Sequence, residues 1–199
     1  TKNFLQSNAK LLPKASPERI KGELERLIKG VWADEVISQL NRIDLLEPWQ
    51  SKDQSSFFMS QSLKNISAFN SRELQMAFPL VRLTNLLSDQ GLAELSFSRK
   101  ILHNCHLLRY WQLRNDGLAF KNLNENERLR LHMDLETFLP ALILQLSFSD
   151  QEVWLKRWRD NADPLFHPSS PLDGFTLQKM FAAPAGPWIG ELMHELCKE

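Results

Sequence analysis

What this chain has little of excludes a good deal. Only two of its 199 residues are cysteine, Cys105 and Cys197, too few for a disulfide framework. No disulfide is therefore expected, and a reducing, cytoplasmic compartment is the natural setting. Net charge is zero, from 24 basic and 24 acidic side chains, which argues against a chain-wide basic coat that binds nucleic acid indiscriminately. The longest apolar stretch without charge, Thr137 to Ser149, is too short to span a bilayer, so no membrane partner is expected. Thr1-Lys2-Asn3 leads into an amphipathic pattern rather than a secretory leader. Thr1 also stands where an initiator methionine would, so the expectation is a piece of a longer chain. Glycine is scarce, with seven residues to serve turns, and no segment alternates apolar and polar residues with a period of two.

What is there is helical periodicity. Ile20, Leu24, Leu27, Ile28 and Val31 form one face at 3.6-residue spacing. Ser16 suits the N-cap of that helix and Pro17 its first turn. Similar patterns run through Ala33–Leu46, Ser55–Phe69, Glu73–Ser88, Ser98–Leu113, Glu125–Phe148 and Ser149–Asn161. Pro79 and Pro140 fall inside two of them and should kink or divide them. Punctuation thickens at Pro164, Pro168, Pro171 and Gly174, and again from Pro184 to Gly190, around two short patterns, Phe175–Phe181 and Trp188–Leu196. The expected fold is all-α, a multi-helix body with a small C-terminal helical unit. Charge is uneven: residues 1–30 carry seven basic and three acidic groups, net +4, and residues 98–133 again give +4, against −3 for 31–97 and −5 for 134–199. Two basic stretches can line one face, although solvated helix faces explain the same pattern.

No catalytic constellation appears. His103-Asn104-Cys105-His106 gathers metal-capable residues, but on a helix position 105 points away from 103 and 106, and no second pair stands at ligand spacing, so no metal is assigned. There is no Gly-x-Ser-x-Gly elbow, no phosphate-binding glycine loop and no Asp-x-Asp pair for catalytic Mg²⁺. Cys105 reads as a small core residue. Trp154 and Trp158, one turn apart beside Lys156, Arg157 and Arg159, could stack a base, and an apolar helix face accounts for them as well. The glycine-proline turns at Gly174 and Gly186 open short helices whose bare amides can hold phosphate. Gly190 would admit close approach of a helix or a ligand.

Two segments nevertheless resemble a known family. SPERIKGELERLIKG, residues 16–30, is similar to the neck-helix motif of class II nucleotidyltransferases, the bacterial CCA-adding tRNA nucleotidyltransferases and poly(A) polymerases. SPLDGFTLQKMFAAPAGPWIGELMHEL, residues 170–196, resembles the family's tail, and the two stand in the family's order. The resemblance implies neck helices at 1–46, a helical body at 47–162 and a tail at 163–199, in the manner of a poly(A) polymerase C-terminal region. It implies that the catalytic head, with its Mg²⁺ site and its selection of CTP or ATP, lies outside this chain, which itself holds no nucleotidyl-transfer activity and no cofactor. Glu18, Arg19 and Glu23 would brace the nucleotide-selecting segment of the head, and Gly174, Gly186 and Gly190 would form the tail turns. The implied partner is tRNA or another RNA 3′ end, held by shape and phosphate, with Arg99, Lys100, Arg109, Lys156, Arg157 and Arg159 as its phosphate contacts. The chain departs from the family pattern at Phe181-Ala182-Ala183, where a glycine usually stands. The alternative expectation is a stand-alone helical interaction or dimerisation module without RNA binding. Homo-oligomerisation is open under either.

Overall fold

A computed structural model describes residues 9–50, 66–114, 123–164, 166–167 and 169–197. Among the described residues the chain is all-α: ten α-helices, two 3₁₀ turns and no strand. After a 3₁₀ segment at Ala9–Lys14 come α1 (Pro17–Leu27) and α2 (Ala33–Arg42), then a 3₁₀ turn at Glu47–Trp49. There follow α3 (Ser71–Leu86), α4 (Asp89–Glu94), α5 (Arg99–Leu113), α6 (Glu125–Leu135), α7 (Leu139–Ile143), α8 (Phe148–Arg159), α9 (Gly174–Phe181) and α10 (Pro187–Leu196). The helix expected over Ser55–Phe69 lies, up to residue 65, outside the described residues.

Local chemistry sets most of these boundaries. Ser16 takes the N-cap of α1 in extended conformation with Pro17 in the first turn. Ser98, Ser147 and Asp173 cap α5, α8 and α9 through side-chain oxygens. Asn70 and Asn124 go further. Each accepts the N–H of a glutamate three residues on, Glu73 or Glu127, whose carboxylate accepts the asparagine's own N–H. These reciprocal caps start α3 and α6. Pro140 divides the long pattern at 125–148 by opening α7 within its first two positions, where a missing N–H is harmless. Pro79, by contrast, does not divide α3, which runs through it unbroken.

The helices enclose two apolar cores that share α3 and α5. One gathers Ala77, Val81, Leu108, Trp111, Leu131 and Ile143; the other gathers Ile20, Leu24, Ile37, Leu86, Leu92 and Cys105. The second core closes where α4 crosses the 3₁₀ turn. Both the N–H and the hydroxyl of Ser88 donate to the Trp49 carbonyl, at 2.9 and 3.1 Å. Gly91 lies so close that a Cβ would stand 2.2 Å from that same carbonyl oxygen. Only glycine fits there.

Polar ties join elements far apart in sequence. Arg82, nearly buried on α3, grips Asp34 with Nε and Nη2 at 2.8 and 2.7 Å and donates from Nη1 to the Ile28 carbonyl at 2.7 Å. It thereby satisfies a carbonyl left open at the end of α1 and fixes α2 against α3. Arg159 at the end of α8 grips buried Glu73 at 2.7 and 2.6 Å. No helix among the described residues is long and apolar enough to cross a membrane.

Candidate functional site

The six cations expected to meet phosphate separate into two sets. Arg109 is turned inward: it pairs with Asp89 and donates to the carbonyls of Thr84 and Leu87, tying α5 to the α3–α4 junction. Arg157 holds Asp163 at 2.7 Å and lies over the rings of Trp154 and Phe166. Arg159 holds Glu73 and the Ala68 carbonyl. In each of these three, the guanidinium donors are largely spent within the chain. Arg99, Lys100 and Lys156 are exposed on helix surfaces. The structure does not bring all six to one face of one element: Arg99 and Lys100 open α5, whereas Lys156 lies on α8.

Glu18, Arg19 and Glu23 are exposed on α1. Their spacing favours an Arg19–Glu23 pair; Glu23 instead meets Arg26 at 3.0 Å in a fully solvated contact, of little energetic weight. Their charges are thus presented outward from α1 rather than built into either core.

The turn glycines differ from one another. Gly174 begins α9 against α10, where a Cβ would lie 3.0 Å from Ile189 Cγ2. Gly186 caps α10 in an extended conformation without any side-chain hydrogen bond. Gly190 faces open space, with nothing within 4 Å of where a Cβ would stand, so helix packing within the chain does not require it. Asp173 accepts the Thr176 N–H at 2.7 Å, which holds its carboxyl below the usual range.

Trp154 and Trp158 serve packing. Trp154 meets Phe166 edge-on at 5.7 Å, and Trp158 is half-buried against the first core. Cys105 is wholly buried in the second core, and burial pushes its thiol up to about 11. Neither cysteine forms a disulfide. His106 turns instead to Asp89 at 3.0 Å. Among the described residues no three His, Cys, Asp or Glu side chains come together as a metal site.

Two clefts flank Pro79. Proline cannot give an N–H to the carbonyl four residues back, and its ring crowds that turn. On one side lies an apolar groove of about 600 Å³ between the α1–α2 corner and α3, lined by Gly30, Val31, Ile66, Leu74 and Phe78. On the other lies a cleft of about 430 Å³ in which Lys29, after α1, shares the lining with Lys100, Asn104 and Thr137. Sequence reasoning does not find Lys29 and Asn104. No motif marks Lys29 in the sequence, and the fold places it on the wall of the cleft that Lys100 also lines.

Comparison with protein-family models, with curated proteins and with solved structures gives no match.

Proposed function

We propose that the chain positions RNA for nucleotide addition, as the neck, body and tail of a class II tRNA nucleotidyltransferase or poly(A) polymerase-like protein. The head that such a protein carries would hold Mg²⁺ and draw on CTP or ATP. In this reading the chain's own part is to bind the RNA. The observation that carries the reading is the cleft whose wall holds Lys29, Lys100 and Asn104, with Glu25 also on that wall. Two exposed ammonium groups and an amide can grip a phosphate and an adjacent sugar without reading sequence. The order of the two terminal motifs supports it, as do the outward-facing charges of Glu18, Arg19 and Glu23 on α1. In this reading Arg99, Lys100 and Lys156 meet phosphate, and Arg109, Arg157 and Arg159 hold the helices that present them.

The test is tRNA binding by the whole chain across a salt series. Lys29→Glu and Lys100→Glu are expected to weaken binding and to lower the salt slope by about one unit each. Unchanged affinity in both variants, or no salt-dependent binding by the unaltered chain, overturns the reading. The second reading, a helical interaction module without RNA binding, is favoured by the internal pairing of Arg109, Arg157 and Arg159. It requires that tRNA not bind at all.

A further inference from the structure

Both apolar cores stop at Phe166. Among the described residues, neither takes in a side chain from 169–197. Leu177 is the one buried residue of α9, and α10 has none. What these two helices pack on is each other. Phe181 meets Trp188 edge-on at 5.9 Å, and a Cβ at Gly174 would stand 3.0 Å from Ile189 Cγ2. Their hydrogen bonds also run within the pair: Trp188 Nε1 donates to the Pro184 carbonyl at 2.9 Å, and the Thr176 N–H to Asp173 at 2.7 Å. Helices of 8 and 10 residues with so little buried between them are marginal in water.

The stretch that leads to them is held firmly, up to His167. Phe166 is 2% exposed in the first core and meets Trp154 edge-on at 5.7 Å. Arg157 grips the Asp163 carboxylate, which also accepts the Phe166 N–H. Two histidines complete the hold. His132, on α6, meets the Phe166 carbonyl at 2.6 Å through Nδ1, and His167 meets the Trp158 carbonyl at 2.6 Å through Nε2. A carbonyl only accepts, so each of these ring nitrogens carries the hydrogen. The His167 N–H in turn donates to the Asp163 carbonyl at 2.9 Å.

The two sides of His167 therefore differ in what opening costs. Releasing α9 and α10 takes no side chain out of either core. Releasing the chain back through Phe166 would pull a buried ring from the first core and strip two carbonyls of their donors. We infer that α9 and α10 open together as one unit while the body stays folded, with the limit of that unit fixed between His167 and Asp173 by the two histidine bonds. The cleft walled by Lys29 and Lys100 draws no residue from 169–197, so it keeps its shape when the pair opens.

Native-state amide hydrogen exchange of the whole chain, resolved by residue across low urea concentrations, tests it. The interior amides of α9 and α10 are expected to share one opening, with protection lower than that of Leu83 in α3 by about tenfold or more. The His167 amide should keep company with Leu83. In His132→Ala, the His167 amide is expected to join the faster class, whereas His132→Asn, whose side-chain amide can donate from the same position, should return it to the slower one. His167→Leu, which leaves the Trp158 carbonyl without its donor, repeats the test from the other bond, and far-UV circular dichroism verifies that each variant keeps its helices. Protection in α9 and α10 equal to that of α3, or two separate openings for the two helices, overturns the inference. So does a His167 amide that already exchanges with the pair in the unaltered chain, one that stays with the body in both His132→Ala and His167→Leu, or an asparagine variant that behaves as the alanine one does.

Discussion

Ala182 closes α9 at φ 50° and ψ 32°, the left-handed conformation that a side chain beyond glycine resists. This is the very stretch, Phe181-Ala182-Ala183, where the resembled family usually places a glycine. The departure seen in the sequence therefore has a physical address, a strained C-cap in a helix pair with little burial to spare. Ala182→Gly is expected to stabilise the pair by about 0.5–1 kcal/mol. Amide hydrogen exchange would show it as slower exchange in α9 and α10, with α3 unchanged. Exchange that stays the same or quickens would mean that the alanine costs nothing there. Other single-residue features differ in how far sequence reveals them. The apolar neighbours of Cys105 mark it as core, and the structure buries it there. The roles of Arg109 and Arg159 are not legible, because their carboxylate partners lie 20 and 86 residues away, beyond any local spacing rule.

At the scale of elements, the tie between α8 and α3 governs the response to acid. Burial by itself would raise the Glu73 carboxyl. The Arg159 hydrogen bonds and the Asn70 N–H overcome it and leave the group below the ordinary carboxylate range. A carboxyl depressed in the folded state contributes stability above its unfolded value, and that contribution is lost as pH falls through the folded one. Arg159→Ala removes the partner and leaves a buried carboxylate, with an expected cost of about 1–3 kcal/mol at neutral pH. Without Arg159 only the Asn70 N–H still opposes the burial, and the balance moves towards the neutral acid, so the difference from the unaltered chain should shrink as pH falls through the carboxylate range around 4. Urea melts of both chains across that range would check it. A difference independent of pH would place the effect in packing rather than in the pair. Element boundaries themselves are largely visible in the sequence, since α1, α5, α9 and α10 begin within one residue of the expected positions. Pro79 shows why the rest is not. Ala77 and Val81 on either side of it are wholly buried, and that packing carries α3 through a residue that local rules treat as a break.

For the whole molecule, the sharing of α3 and α5 between two cores sets the cooperativity. Ala77 and Val81 face one core while Leu83 and Leu86, further along the same helix, face the other. Likewise Cys105 belongs to one and Leu108 to the other, one turn apart on α5. Periodicity announces that these helices are amphipathic, but it cannot show that each serves two cores, because an apolar position does not name its partner. A core cannot melt alone when its central helices are also half of its neighbour. Leu86→Ala in the second core and Leu131→Ala in the first should each cost about 2–5 kcal/mol. Both losses should appear as a shift of one transition, coincident by far-UV circular dichroism and by tryptophan fluorescence. If either variant instead splits the melt into two steps, the cores are separable units. The groove at the α1–α2 corner would then open and close without the helices that carry Lys100, and the cleft that Lys29 shares with it would not be a fixed surface for phosphate.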